Sequence, residues 1–211
     1  MKVKNLILSS LCLFLMSCNS PLPKPEKADG VIGEQLGVDK NINVETIDKY
    51  LFRSDSVYRD VRMLIDEASY ENIGGDSYMS GFVVGFEVVP YPYLINVKGL
   101  PESVGQTYTG PTWFSQDDEG HITANYSNSV QLLKDLFPQD KYIFLMCGGG
   151  GYAGMTKTLL VSQGWDPDKI YNVGGYWSYQ GNYNVQVKRV ENGTTYYDFY
   201  KVAYHDIRVD A

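Results

Sequence analysis

The chain has 211 residues, with 18 Lys and Arg against 25 Asp and Glu and a formal net charge of −7 at pH 7. This acidic balance argues against binding to nucleic acid and against charge-driven attachment to anionic lipid, because both partners are polyanions. The length is sufficient for one domain with a sizeable core.

Residues 1–17 have the composition of an export signal, with a basic start and an apolar stretch that is too short to span a bilayer. The stretch ends in Leu15-Met-Ser-Cys18, which resembles the lipobox of bacterial lipoproteins. We therefore expect cleavage before Cys18, lipid on its thiol and a domain anchored to a membrane of the bacterial cell envelope. Asn19 does not signal retention at the inner membrane, which favours the outer one. An ordinary secretory signal is the alternative.

Of the three cysteines, Cys12 leaves with the leader and Cys18 carries the predicted lipid, so Cys147 is the only free thiol of the mature chain. It has no partner for an internal disulfide. An exported chain that keeps one thiol beside a glycine run is expected to use it, with an inert buried thiol as the alternative.

Composition divides the chain into four parts. The leader 1–17 is followed by a proline-containing tether at 18–43, which is expected to be stiff and solvated. The folded domain is predicted at 44–183, beginning at Val44, where apolar residues first share a helical face, and it contains an insertion at about 99–126. Residues 184–211 are predicted to form a β-hairpin extension with a turn at Glu191-Asn-Gly193.

Strands and helices alternate within the domain. Strands are predicted at 57–61, 83–89, 142–146 and 170–173. One helix is capped by Ser127 or Ser129 and stopped by Pro138, and a second ends at Gly164. This alternation predicts an α/β fold with a mostly parallel central sheet and helices on both of its faces. Ligands of such sheets collect at the carboxyl ends of the strands, where Cys147 lies.

The residues after Cys147 favour an anion site. Four glycines and the first turn of a helix allow successive backbone N–H groups to point at the sulfur, and this is expected to lower the pKa of the thiol. The predicted anion-binding loop consists of Gly148, Gly149, Gly150, Gly151, Tyr152 and Ala153.

Over about residues 55–183 the chain resembles the rhodanese-like superfamily. The motifs that carry the resemblance are Asp60-Val-Arg62, the Gly81 to Pro90 segment, the Cys147 loop with Leu159, Leu160, Gly164 and Trp165, and Tyr171-Asn-Val-Gly-Gly175 followed by Tyr179, where a tryptophan is usual. Gly120-His-Ile122 imitates one of these motifs but lacks its second glycine and its proline. We therefore assign it to the insertion, as a hairpin that either covers the loop or has no role.

The resemblance implies a sulfurtransferase. Cys147 would take the outer sulfur of a small donor anion, hold it as a persulfide and pass it to a thiol acceptor, without metal or organic cofactor. Asp60 and Arg62 would support the site. The chain departs from the family at Tyr152, where active members usually have a cationic residue. This departure weakens the case for thiosulfate, unless Arg62 or Lys157 compensates.

Other cysteine chemistry fits less well. A phosphatase loop needs arginine at position 153, which is alanine here, and a Cys-His hydrolase would depend on His121 or His205, both in polar surroundings. Two histidines and one thiol do not give the spacing of a zinc site. The rival hypothesis is a catalytically weak or inactive domain that binds a small anion, a glycan or a protein, in which the C-terminal tyrosines either recognise the partner or only pack.

Overall fold

The computed structural model describes residues 20–28, 37–62, 81–96 and 111–198. The predicted leader and Cys18 lie outside these residues. In chain order the strands are β1 Ser56–Asp60, β2 Gly81–Val83, β3 Glu87–Val88, β4 Ile95–Asn96, β5 Phe114–Gln116, β6 Ile122–Ala124, β7 Tyr142–Cys147, β8 Ile170–Gly175, β9 Asn184–Glu191 and β10 Thr194–Asp198. The α-helices are α1 Tyr91–Leu94, α2 Ser129–Leu136 and α3 Gly151–Ser162, and 3₁₀ turns span Ile47–Lys49, Pro167–Lys169 and Tyr176–Ser178.

The centre of the α/β fold is a four-stranded sheet in the order β3-β1-β7-β8, with every pair parallel. β7 lies between β1 and β8 and is buried from Ile143 to Cys147. Such a continuous apolar strand suits the middle of a parallel sheet that is covered on both faces. The register between β7 and β8 shifts after Leu145, so that Cys147 pairs with Gly175.

Alternate side chains of β7 enter two separate apolar clusters. Ile143, Leu145 and Cys147 point to one face of the sheet, and Phe144 and Met146 point to the other. We call the first the helical face and the second the aromatic face.

All three α-helices among the described residues contribute to the cluster on the helical face. Leu94 of α1, Leu133 of α2, and Leu159 and Leu160 of α3 are fully buried there. The expectation of helices on both faces is wrong for the described part of the chain, because the opposite face is covered mainly by irregular backbone and 3₁₀ turns.

The aromatic face is covered by a segment that includes part of the predicted tether. Ile42 is 0% exposed and Ile47 in the first 3₁₀ turn is equally buried, both against the cluster that contains Phe144. Residues 20–28 also pack here, since the hydroxyl of Tyr171 donates to the Pro23 carbonyl at 2.7 Å. The packed part of the chain therefore begins before the predicted boundary at residue 44. Proline content alone did not distinguish a docked segment from a solvated one.

Two local predictions need correction. The predicted strand 83–89 is interrupted at Gly85, whose φ of +92° turns the chain. As a result, β2 joins a different sheet from β3. Helix α2 begins after Asn128, not after a capping serine. The hydroxyl of Ser129 instead donates to the Trp113 carbonyl at 2.7 Å and ties α2 to the insertion.

Two smaller sheets complete the described fold. The described part of the insertion contains the predicted hairpin, formed by the antiparallel strands β5 and β6. β4 lies beside β5 in the same sheet. The C-terminal hairpin is confirmed as β9 and β10, and its turn places Asn192 and Gly193 at positive φ. β9 also pairs with β2, so this hairpin is bonded to the domain along its other side. Residues 199–211 lie outside the description.

Among the described residues, no helix has both the length and the apolar character needed to cross a membrane.

Candidate functional site

The carboxyl ends of the central strands bring the sequence motifs together. β1 ends at Asp60, β7 ends at Cys147, and β8 ends at Gly175. The register pairs Asp60 with Met146 and Cys147 with Gly175, so the three ends are direct neighbours. Segments that are 115 residues apart in the sequence (60 to 175) therefore form one site at this edge of the sheet.

The sulfur of Cys147 is enclosed by backbone amides. The N–H of Gly150 donates to Sγ at 3.0 Å, and the N–H groups of Gly149 and Ala153 also act on the thiol as hydrogen-bond donors. Ala153 belongs to the first turn of α3, whose N-terminus adds partial positive charge at the same point. Of the six loop residues predicted to supply N–H groups, Gly148 to Ala153, these three act on the sulfur. The side chain is only 1% exposed, which the sequence did not reveal.

Glycines make the loop geometry possible at two places. Gly150 has φ of +98°, a conformation that side-chain-bearing residues rarely adopt, and it turns its N–H toward the sulfur just before α3 begins. A Cβ on Gly175 would collide with the Gly148 carbonyl oxygen and with the Gly149 Cα, so the loop can lie against β8 only because residue 175 is glycine.

Asn172 fixes the loop from the side of β8. Its side-chain amide donates to the Gly150 carbonyl at 2.9 Å and accepts from the Gly174 N–H at 3.0 Å, while its own carbonyl accepts from the Asp39 N–H at 2.7 Å. Asn172 is buried. The sequence places Asn172 in the Tyr171-Asn-Val-Gly-Gly175 motif but indicates no role for it. A polar side chain within an otherwise apolar strand, two residues before Gly174, was the available signal.

Burial raises the pKa of the Cys147 thiol, and the three N–H donors only partly oppose this effect, while the carboxylate of Asp60 adds to it. The expectation of a lowered pKa is therefore wrong for this closed arrangement. The donors are in place, but the sulfur is shielded from water, and loss of hydration disfavours the thiolate more than the donors favour it.

Asp60 and Arg62 form a buried ion pair at the end of β1. The guanidinium donates to both carboxylate oxygens, with its shortest contact at 2.6 Å, and the two side chains are almost completely buried. The guanidinium also lies 4.4 Å from the centre of the Tyr176 ring, directly after Gly175. Arg62 thus links the end of β1 to the segment after β8.

Lys157 does not face the thiol. Its ammonium group donates to the carbonyl of Ile170 at 2.8 Å, at the start of β8, whereas Cys147 pairs with the end of that strand. Burial lowers the pKa of this lysine. The position of Lys157 therefore does not support the idea that it replaces the cation missing from the loop.

Tyr152 occupies the loop position where a cation was expected. Its ring packs against the apolar cluster that contains Cys147 and meets the ring of Tyr91 with centres 4.9 Å apart. Tyr91 is the first residue of α1, directly after Pro90, and the sequence analysis did not single it out. No spacing in the sequence indicates that these two tyrosines meet.

The histidine alternatives are placed as follows. His121 lies in the exposed turn between β5 and β6, where Nδ1 contacts Asp117 at 3.1 Å. With Glu119 these two residues offer ligand atoms within 4.8 Å of one another, all on exposed side chains. His205 lies outside the described residues.

Comparison with family models, with curated proteins and with solved structures gives no match to this chain.

Proposed function

We propose that this chain carries sulfur on Cys147 by rhodanese-type chemistry, as a domain of a lipoprotein of the bacterial cell envelope. The observation that carries the proposal is the set of three backbone N–H groups, from Gly149, Gly150 and Ala153, that act on one thiol. A persulfide formed there would place its negative charge among these donors and at the N-terminus of α3.

The placement of the family-like motifs adds support. The Asp60-x-Arg62 motif and the Gly174-Gly175 turn lie on the two strands that flank the cysteine strand. Each motif alone is common. Their meeting around one thiol is the arrangement expected if all three serve the same site.

The chemistry needs the chain, a sulfur donor and a sulfur acceptor. A sulfur donor is attacked by Sγ at its outer sulfur, the Sγ–S bond forms, and the bond between that sulfur and its carrier breaks with the electron pair on the carrier. The proton of the thiol ends on the carrier. A second thiol then attacks the outer sulfur of the persulfide and leaves as a hydropersulfide, while the Sγ–S bond breaks with its electron pair on Sγ, which takes a proton and becomes a thiol again. No oxidant or reductant is consumed.

The burial of Sγ requires one further step. At 1% exposure no donor reaches the sulfur in the described arrangement, so the start of α3 must move before each transfer. The four glycines Gly148 to Gly151 give this loop the conformational freedom for such a movement. Loop opening is therefore expected to limit the rate.

The proposal is tested by turnover with cyanide as the sulfur acceptor. We expect the purified chain to form thiocyanate from thiosulfate or from a hydropersulfide, and the Cys147→Ser chain to form none above the uncatalysed rate. Serine keeps the size of the side chain but cannot form a persulfide. Equal rates for the two chains, with every donor, would reject sulfur carriage.

A second candidate, binding without turnover, is favoured by one observation. The thiol is closed off and its pKa is raised, which is the state of a cysteine that packs without reacting. In that case a small anion, a glycan or a protein partner would bind elsewhere on the domain. The same experiment separates the two candidates, because a binding domain gives no thiocyanate that depends on Cys147.

A further inference from the structure

The charges around Cys147 restrict which sulfur donors the site can accept. Residues 142–156, which include the whole loop, contain neither Lys nor Arg. Asp60 acts on the thiol with a negative charge, and the guanidinium of Arg62 is held by that same carboxylate at 2.6 Å. Lys157 is directed to the far end of β8. From the described residues a doubly charged anion would thus gain only backbone dipoles in return for its lost hydration.

The apolar surroundings of the thiol also favour a donor without charge. Cys147 belongs to a cluster of apolar side chains on the helical face, which includes the buried Tyr91, and the partly buried Tyr152 packs against it. Their rings are 4.9 Å apart with 40° between their planes, beside the α3 turn that carries the Ala153 N–H. Opening of that turn, which the proposed transfer requires, would place this ring pair beside the route to the sulfur, where residues 142–156 offer no Lys or Arg to an anion.

We propose that the sulfur donor of this site is an organic hydropersulfide whose carrier group is apolar, and that Tyr91 and Tyr152 select it. The proposal rests on sulfur carriage by Cys147. The donor R–S–SH gives its outer sulfur to Sγ, the donor S–S bond breaks with its electron pair on R–S, and the Cys147 proton passes to that sulfur. The products are a Cys147 hydropersulfide and the thiol R–SH. The step as written uses the protonated donor, which brings no net charge into the site.

The test compares loading rates of Cys147 by mass spectrometry, with three donors. Benzyl hydropersulfide is apolar, glutathione hydropersulfide carries the same reacting group on a charged carrier, and thiosulfate is an inorganic dianion. Each rate is divided by the rate of the same donor with N-acetylcysteine, which removes differences in intrinsic reactivity. We expect benzyl hydropersulfide to load about tenfold faster than either charged donor on this scale, a factor that corresponds to one charge-assisted interaction.

Variants assign the selectivity to the ring pair. Tyr152→Arg should reduce the preference for the benzyl donor over thiosulfate by about tenfold, whereas Tyr152→Phe, which keeps the ring, should leave the preference unchanged. Tyr91→Leu should lower the preference for benzyl over glutathione hydropersulfide. Leucine keeps an apolar side chain at this buried position. Thermal unfolding of the variant then checks that it remains folded.

The outcomes are separable. If a charged donor loads as fast as the benzyl donor after normalisation, or if Tyr152→Arg leaves the ratio unchanged, the donor assignment is overturned while sulfur carriage stands. If no donor loads Cys147, sulfur carriage itself fails, and the donor assignment fails with it.

Discussion

The two faces of the central sheet are built by different means. The helical face is covered by α1, α2 and α3, and its cluster is mainly aliphatic around Leu159 and Leu160. The aromatic face is covered by residues 37–51, and Phe144 is stacked there between Tyr58 and Tyr171, with ring centres 5.1 and 5.0 Å away. One strand, β7, serves both faces through the alternation of its side chains.

This difference explains how the Cys147 loop is held from two directions. α3 supplies the Ala153 N–H from the helical face. From the N-terminal segment, Val38 would lie 3.1 Å from a Cβ on Gly150, and the Asp39 N–H bonds the carbonyl of Asn172. Residues 38 and 39, which the sequence assigned to the tether, thus lie directly behind the loop. A regular helix covers one side of the site and a docked extended segment the other.

The largest effect is expected from truncation of the aromatic stack. Phe144→Ala should lower the free energy of unfolding by about 3–5 kcal/mol, because it removes a fully buried ring and leaves a cavity between two tyrosines. Denaturant titration measures the loss. The matched control is Phe52→Ala, since Phe52 is 59% exposed and its truncation leaves no internal cavity. Equal losses for the two variants would contradict a packed aromatic face.

The docking of the N-terminal segment is tested by Ile42→Ala. We expect a loss of about 2–4 kcal/mol, since Ile42 is completely buried against the aromatic face. A solvated tether would instead tolerate this change within about 0.5 kcal/mol. The nearby Asn41→Ala, whose described contacts are made by its backbone, serves as a comparison.

The two faces should also lose stability in different pH ranges, the helical face through its thiol and the aromatic face through its tyrosines. Because burial raises the pKa of Cys147, its stabilising contribution is complete below the unfolded value of about 8.5 and is lost as the pH rises from there toward the folded value. In that window the native chain should lose about 1.4 kcal/mol per pH unit more than Cys147→Ala does. Parallel curves for the two chains would show that the thiol is not desolvated.

At higher pH the tyrosines of the aromatic face should add to this loss. Burial raises the pKa of Tyr58, Tyr171 and Tyr176, so their contributions are lost above about pH 10, the ordinary value for tyrosine. Denaturant titrations of Cys147→Ala, which lacks the loss caused by the thiol, should therefore still show a decline in stability above pH 10. A curve that is flat in this range would contradict burial of these hydroxyl groups.

The smallest effects are expected within the glycine loop. Gly151 lies in the first turn of α3 and a Cβ there meets nothing, so Gly151→Ala should stabilise the chain by about 0.4–1 kcal/mol. Gly150 is at positive φ, with the Gly174 Cα 3.3 Å from its would-be Cβ, and Gly150→Ala should cost about 1–2 kcal/mol. The same sign for both changes would mean that the loop is not fixed as described.

Periodicity and turn residues were sufficient to predict much of the fold. The apolar runs before Cys147 and Gly174 gave β7 and β8, the spacing of Leu133 and Leu136 gave α2, and Asn192-Gly193 gave the C-terminal turn. These features depend on neighbours in sequence. The parallel sheet then followed from the alternation of strands and helices.

The remaining features depend on contacts between distant residues. The amide donors to Sγ could be predicted from the glycine run, but the burial of Cys147 depends on α3 and β8 closing over it. Burial reversed the expected direction of the pKa shift. Likewise, Ile42 has no local pattern that marks it as core, and the contact of Tyr91 with Tyr152 joins segments 61 residues apart.

The most direct test of the account is the mass of the peptide that contains Cys147 after the purified chain is treated with a hydropersulfide and excess donor is removed. The account predicts that this peptide gains one sulfur atom, that brief treatment with cyanide removes it, and that other peptides keep their mass. An unchanged Cys147 peptide under conditions in which a small thiol is fully converted would contradict the account.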